Sequence, residues 1–433
     1  MSTNMEMDEF RTRYMEFLQY NRTEREVIEN IKEALLKLPG VYVKTRADRG
    51  LVAVFNRFGP VRIIGAHVDS PRIDLKMKPL YGSDGLCYLD THYYGGITKY
   101  QWVTTPLGLD GIVCRPGQES VKIRMGLPEH PARPTEPGVF CITDLLPHLS
   151  HKRMEEKTAD EVIEGENMDI IAGIAPAGAK DNDDDDDDNI ATKNVQTLLK
   201  DRYGISKDDL LSAELSLVPA NNVSTVGFDG ELVGGYGQDD RSCAWAAFSA
   251  FVDAVRSDTQ HYNSIVLILT DKEEIGSEGV TGAQCDWYLD TMLELLALDK
   301  MPKDAKMISA DVTAAYDPMY SDAYCERVSA KLGEGAALSK YTGGGGKYDS
   351  SDASPEYVAW MRGVIGSIKF QSDEMGKIDA GGGGTIAMFF ARKGIDVIDI
   401  GIPILNMHSP FEIAAFRDIE SARDIYREFY MVK

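Results

Sequence analysis

Four apolar runs of strand length punctuate the chain: "VRIIGA" from residue 61, "SIVLILT" from 264, "KMISADV" from 306 and "IDVIDIGIPI" from 395. Segments with helical spacing lie between and after them, among them "DRSCAWAAFSAFVDAVRS", "WYLDTMLELLAL" and "IESARDIYREFYMV". Strands that alternate with helices in this way build a sheet covered by helices on both faces. The expectation is therefore a three-layer α/β domain. Residues 7–37 read as helical, with Phe10, Tyr14, Phe17 and Leu18 on one face. A helix start is marked at Thr23, with Glu26 three residues on.

The texture changes from about residue 82. Short β-prone runs split by Gly, Pro and Asp fill "CYLDTHYYGGITKYQWVTTPLGLDGIVCRPGQESVKIRMG", which reads as a mainly β insertion. We expect a discontinuous domain, 1–81 and 235–433, interrupted by an inserted domain at 82–234. Within the insertion, "DNDDDDDDN" (181–189) reads as a surface loop before a helix.

Length and charge bound the class. With 433 residues there is room for two domains, and the formal net charge of −23 disfavours nucleic acid or anionic membrane as partner. No apolar run reaches the roughly 20 residues of a membrane span, and the first residues lack the apolar core of a signal peptide. The six cysteines are scattered, as in reduced, buried thiols of a cytoplasmic protein.

Chemistry gathers where the apolar runs end. "SIVLILT" leads straight into Asp271, Glu273 and Glu274. His67 follows "VRIIGA", His408 follows "IDVIDIGIPILNM", and Asp311 follows "MISA". Asp239 and Asp240 open a helix after a Gly-containing loop. A lone histidine or a pair of glutamates in such a place is more often structural or solvated. The coincidence of His67, Asp239, Glu274, Asp311 and His408 at strand ends is what suggests a metal site. Mixed imidazole and carboxylate donors suit zinc, manganese or cobalt. Five ligands exceed one open catalytic zinc and suit two metals sharing a carboxylate, a pair that lowers the pKa of a bridging water and polarises a carbonyl. Glu273 is then placed to move the water's proton to a leaving amine, and Asp69 to hold the second nitrogen of His67. This chemistry predicts metal-assisted amide hydrolysis and leaves open an aminopeptidase, a deacylase or a carboxypeptidase. A self-assembling structural protein with a lapsed site is the reading from another class.

The segments "GAHVDSPRIDLK", "GQDDRSCAW", "DKEEIGSEG", "SADVTAAYDP" and "IPILNMHSPFE", in this order, resemble the aspartyl aminopeptidase family of dinuclear zinc aminopeptidases. "YYGGI", "LLPHLS" and "LLSAELSLVPA" extend the resemblance over most of the chain. It implies that Asp239 bridges two zinc ions, that His67 and Asp311 complete one site and Glu274 and His408 the other, that Glu273 is the general base, and that Asp69 supports His67. It also implies peptide substrates, an insertion that mediates dimerisation, assembly into a homo-dodecamer, and a role for His148 or His151 toward a neighbouring subunit's active site. The chain departs from the family pattern at "DAGGGGTIAMFF" (379–390) and "SKYTGGGGKYDSSDASPEY" (339–357). Gly382 and Gly383 permit close backbone approach to a ligand. Lys340 or Lys347 is either a surface lysine or a partner for an acidic substrate side chain, so the preferred N-terminal residue stays open.

Overall fold

The computed structural model describes residues 2–56, 58–177, 189–379 and 381–433. Of the acidic run 181–189, all but Asn189 lies outside the described residues. The chain groups into two compact units: Met1–Ser70, Val223–Met407 and Phe411–Lys433 form one, and Pro71–Asn222 with His408–Pro410 the other.

The first unit is built on an eight-stranded sheet. Its strands are β1 (Val41–Arg46), β2 (Gly50–Phe55), β3 (Val61–His67), β4 (Ser264–Thr270), β5 (Lys306–Ser309), β6 (Ala336–Ser339), β7 (Phe370–Ser372) and β8 (Asp396–Gly401). They lie in the order β1-β2-β4-β3-β5-β8-β6-β7. The central strands β4, β3, β5 and β8 are parallel, and the β1–β2 hairpin adds antiparallel to β4. Every residue of β3 and β4 is buried, because helices cover both faces as parallel sheets require.

Side-chain alternation divides the core. Leu51, Ala53, Ile64, Ala66, Ile265, Leu267 and Leu269 face a layer made by α1 (Ser2–Tyr20), α2 (Glu24–Leu35), α3 (Gln238–Arg256), α5 (Pro355–Ile365) and α6 (Phe416–Met431). Val52, Val54, Ile63, Val266 and Ile268 face α4 (Trp287–Leu296) and the short helix Ala387–Ala391. Each fully buried Val, Leu or Ile contributes about 1.5–3 kcal/mol relative to exposure. Alanines 244, 246, 247, 250 and 254 are buried on α3, and on that helix Phe251 meets Tyr430 of α6 edge to face. Where the sequence suggests one strand over 395–404, two form. β8 ends at Gly401, and Pro403–Leu405 joins a separate five-stranded sheet between Glu412–Ala415 and Thr313–Ala314. At the break the backbone passes so close to Asp311 that only glycine fits: a Cβ on Gly401 would lie 1.5 Å from the Asp311 carbonyl oxygen.

The second unit is mainly β, a six-stranded antiparallel sheet ordered Val121–Met125, Leu107–Val113, Ala213–Pro219, Arg72–Ser83, Leu86–Tyr94 and Ile170–Ile174. It also carries the helices Pro147–Glu156 and Ile190–Tyr203. The Asn189 side chain caps the second by accepting from the Thr192 amide, and Gly204 ends it at φ +66°. All six cysteines are free thiols. The expectation that they are buried holds for Cys87 and Cys243 but not for Cys114, which is exposed. Among the described residues no helix is long and apolar enough to cross a membrane.

Asp418, buried in the first turns of α6, accepts from the amides of Gly333 and Gly335 at 2.7 Å each. Burial nevertheless dominates and pushes its pKa from 3.8 to about 7. Folded Asp418 thus keeps its proton over a range where the unfolded chain releases it. Its stabilising contribution is complete below about pH 4 and is lost as pH rises toward 7. Asp418→Asn, which cannot ionise, lacks that slope. Urea unfolding should show the wild type losing on the order of 2–4 kcal/mol relative to the variant between pH 4 and pH 7; parallel curves would contradict this account.

Candidate metal centre

Strand register delivers the first groups. Thr270 of β4 pairs with His67 of β3, and Ser309 of β5 pairs with Gly65. All three strands are parallel, so His67, the tight turn Glu273–Ile275 and Asp311 leave the sheet at one edge, where ligand sites of open α/β sheets form. Asp239 arrives from the head of α3, where it and Asp240 depart from helical dihedrals.

A buried polar network fixes Asp239. Its amide and that of Gln238 donate to Glu412 Oε2 at 3.3 and 2.6 Å. Its carbonyl accepts from Ser70 Oγ at 2.5 Å. Gln238 in turn donates through Nε2 to the carbonyls of Val233 and Glu412, and accepts from the Tyr14 hydroxyl at 2.8 Å. Glu412 is 1% exposed, so its carboxylate is committed to these amides.

Around His67 the geometry selects a tautomer. Nδ1 lies 3.0 Å from the Asp69 carbonyl oxygen, an acceptor to which it donates. That leaves Nε2 facing Asp239 Oδ1 at 3.2 Å and Asp311 Oδ1 at 3.7 Å: protonated, it donates to them, and deprotonated, it offers its lone pair to a cation that they share. The Asp240 carboxylate accepts from the His67 amide at 3.2 Å. Asp69, placed by sequence behind His67, has its Oδ1 3.4 Å from Nδ1. Its carboxylate also accepts from the amides of Glu273 and Glu274, at 3.1 and 3.2 Å. One acidic side chain therefore touches the histidine and both glutamates.

The donor set fits a divalent cation. His67, Asp239 and Asp311 each offer an atom within 4.8 Å of the others, and Glu274 offers a carboxylate oxygen within the same distance of Asp239. Several carboxylates are thus turned toward one imidazole in a buried place, where like charges repel strongly unless a cation neutralises them. The pKa shifts carry the same signature. Burial works against a charged His67, but Asp239, Asp311 and Asp69 outweigh it and raise its pKa well above 6.5. Burial raises Asp240 well above 3.8, with Asp311 adding repulsion. Glu273 is pushed up to about 8 by burial, with His67 opposing and Asp311, Asp69 and Asp239 reinforcing.

The remaining sequence candidates divide. Lys340, half-buried, lies 3.2 Å from Oδ1 of the exposed Asp352, and Lys347 sits over the Tyr341 ring. Gly382 and Gly383 pack against the other glycine-rich segment. Gly383 O accepts from the Gly343 amide at 2.6 Å, and a Cβ on Gly382 would stand 2.3 Å from Gly343 O. In the second unit, His408 Nδ1 lies 2.8 Å from Gly96 O. His148 is exposed on Pro147–Glu156, and the exposed His151 lies 3.4 Å from Glu155.

Residues 17–430 match the sequence profile of the family Aminopeptidase I zinc metalloprotease (M18). A Clostridium acetobutylicum protein described as a probable M18 family aminopeptidase 1 is 38% identical over 96% of this chain and 93% of its own length. The chain belongs to the M18 family of zinc aminopeptidases. A Thermotoga maritima relative with the same description is 38% identical, covering 98% of this chain and 95% of its own. The crystal structure of a T. maritima M18 aminopeptidase superposes with a TM-score of 0.89 at 36% identity, over 98% of this chain and 96% of that one. The structure of aminopeptidase I from C. acetobutylicum gives 0.86 at 36%, over 97% and 94%. The chain is accordingly an α/β zinc metallopeptidase, a hydrolase that acts as an aminopeptidase.

Sequence reading of this M18 aminopeptidase did not single out Glu412, Gln238, Ser70 or Tyr14. Glu412, Gln238 and Ser70 lie inside "IPILNMHSPFE", "GQDDRSCAW" and "GAHVDSPRIDLK", where nothing local separates them from their neighbours, and Tyr14 looks like any core aromatic. Removing the Asp69 carboxylate leaves two half-buried glutamate amides without this acceptor. Asp69→Ala should weaken zinc binding by about 10–100-fold, measured by chelator competition, with Asp69→Asn losing less. Unchanged affinity in both variants would show that Asp69 does not hold the ligand turn.

Proposed function

We propose that this M18 aminopeptidase removes single N-terminal residues from short peptides, using two divalent metal ions, zinc by family and cobalt or manganese by donor chemistry. His67 and Asp311 would hold one and Glu274 and His408 the other, with Asp239 shared. Support for the shared role is that Asp239 lies within reach both of the His67–Asp311 pair and of Glu274. Support for His408 comes from its neighbours. Its loop joins Pro403–Leu405 to Glu412–Ala415, and Glu412 grips the amides next to and of Asp239. His408 also holds φ +66°, a strained conformation for a non-glycine residue of the kind that collects at functional sites.

When bound, the metals supply Lewis acidity that polarises the scissile carbonyl and acidifies water. The chain's own residues do the rest. Glu273, neighbour of a ligand on the same turn, takes a proton from the attacking water and returns it to the leaving amine. Its pKa is raised chiefly by burial, with Asp311, Asp69 and Asp239 reinforcing, and bound cations would shift it down toward the range of a base at neutral pH. Asp69 keeps Glu273 and Glu274 in a fixed relation through their amides. The observation that carries this reading is the convergence of His67, Asp239, Asp311 and Glu274 beyond three adjacent parallel strands.

The second unit would serve assembly, as the family resemblance implies. Leu145, Leu146, Leu149 and Met154 there are exposed at 46–67%, apolar surface of the kind that subunit contacts cover. Contact of His148 with a neighbouring active site, and contact of Lys340, Gly382 or Gly383 with substrate, belong to the same proposal.

Zinc-loaded protein should cleave peptides with a free N-terminus and leave N-acetylated controls intact, and metal chelation should abolish cleavage until zinc is restored. Glu273→Gln should lower kcat by about 10²–10⁴-fold. Full activity of that variant, or cleavage of the blocked peptides, would overturn the reading. Light scattering should return a mass near twelve times the 47.8 kDa chain; a monomer would refute the assembly role.

A further inference from the structure

We propose that Arg49 is a positioning residue for the turn that carries Glu273 and Glu274, acting through the buried carboxylate of Asp271. The inference rests on the roles given above to those two glutamates.

The turn is an awkward piece of backbone. Lys272 and Ser277, neither of them glycine, hold φ +67° and +59° on either side of the glutamates. Left-handed conformations at such residues persist only where surroundings impose them. Asp69, two residues past the end of β3, grips the middle of the turn. Its mouth is closed elsewhere. The Asp271 amide donates to Thr281 O at 3.1 Å, Thr281 Oγ1 donates to Asp271 Oδ2 at 2.6 Å, and the Tyr288 hydroxyl holds Thr281 O from the other side. Asp271 is the hub of this clasp and is 0% exposed.

A buried carboxylate needs a cation, and Arg49 supplies it. Its Nε lies 3.0 Å from Asp271 Oδ2, while its Nη2 lies 3.1 Å from Glu24 Oε1 at the start of α2. Lys272 Nζ stands at 4.0 Å, the edge of pairing distance. Register explains why a residue 222 positions away does this. Leu51 pairs with Leu269 in the antiparallel β2–β4 ladder; two further steps along it set Arg49 level with Asp271. Positive φ at Ala47 and Asp48 makes the tight hairpin turn that ends on Arg49. With Arg49 gone, Asp271 faces a buried negative charge opposite Glu24. The clasp relaxes toward solvent, and the glutamates two and three residues on move with it. Displacements on the order of 1 Å at reacting groups cost about 100-fold in rate.

The test compares Arg49→Met, which keeps the stem and removes the charge, with Arg49→Lys and with Glu273→Gln, all at saturating zinc and with melting temperature recorded. Arg49→Met should lower kcat by about 10–100-fold with KM within about twofold, and Arg49→Lys should recover part of the loss. A folded Arg49→Met with kcat near wild type, beside an inactive Glu273→Gln, would overturn the inference and leave the reading of the site intact. A fully active Glu273→Gln would overturn that reading and this inference with it. Equal losses in the Met and Lys variants, tracking melting temperature, would reduce Arg49 to a stability role and also overturn it. Should Arg49→Met fail to fold, Thr281→Val opens the same clasp from its other side, and unchanged kcat there refutes the mechanism.

Discussion

The rung that pairs Thr270 with His67 governs most of what lies beyond it. β3 and β4 are buried on both faces, so neither strand has a polar side to fix its register. Register comes instead from the two packed layers. Ile265, Leu267 and Leu269 fill one core, and Val266 and Ile268 the other. A slip of one residue would exchange every side chain between layers of different shape. The same slip would move the Glu273–Glu274 turn by about 3.3 Å relative to His67. Core packing and the alignment of the candidate ligands are therefore one constraint.

Beyond that rung the structure concentrates negative charge and then organises it through backbone amides. Asp69 is spread over two glutamate amides, Glu412 over those of Gln238 and Asp239, and Asp240 accepts from that of His67. Each of these contacts holds the backbone of a candidate ligand or its neighbour, the kind of support by which outer-layer partners tune a metal site. Metal binding and folding are coupled in such an arrangement, because a cation relieves repulsion that the folded chain alone must bear.

Much of this was legible in the sequence. Fully apolar runs such as "SIVLILT" announce buried strands, and helical segments between them announce layers, because period and length are local properties. His67, Glu274, Asp311 and His408 stood out because unlike polar residues follow apolar runs, and Asp239 because it opens a helix after a Gly-containing loop. What stayed hidden depends on contacts across the fold. Glu412 looks like the start of an ordinary strand, and Arg49 like a hairpin turn residue, until β-sheet register brings each to its partner. The run 395–404 looks continuous because nothing local in "DIGIPI" reveals that Gly401 passes over Asp311. The thiol of Cys114 is exposed at a strand end whose environment the scattered spacing of cysteines does not encode.

That crossing at Gly401 fixes the residue by close approach rather than by conformation. Its φ is not in the left-handed region, so no turn demands glycine there. The demand comes from the Asp311 carbonyl, which a methyl group would overlap. Identity at 401 is thus dictated by a residue ninety positions earlier in the chain. An engineer altering metal preference has freedom in the ligand side chains but none in this backbone crossing. Even alanine would move the candidate ligand Asp311 by pushing on its main chain, leaving every donor atom in the sequence unchanged.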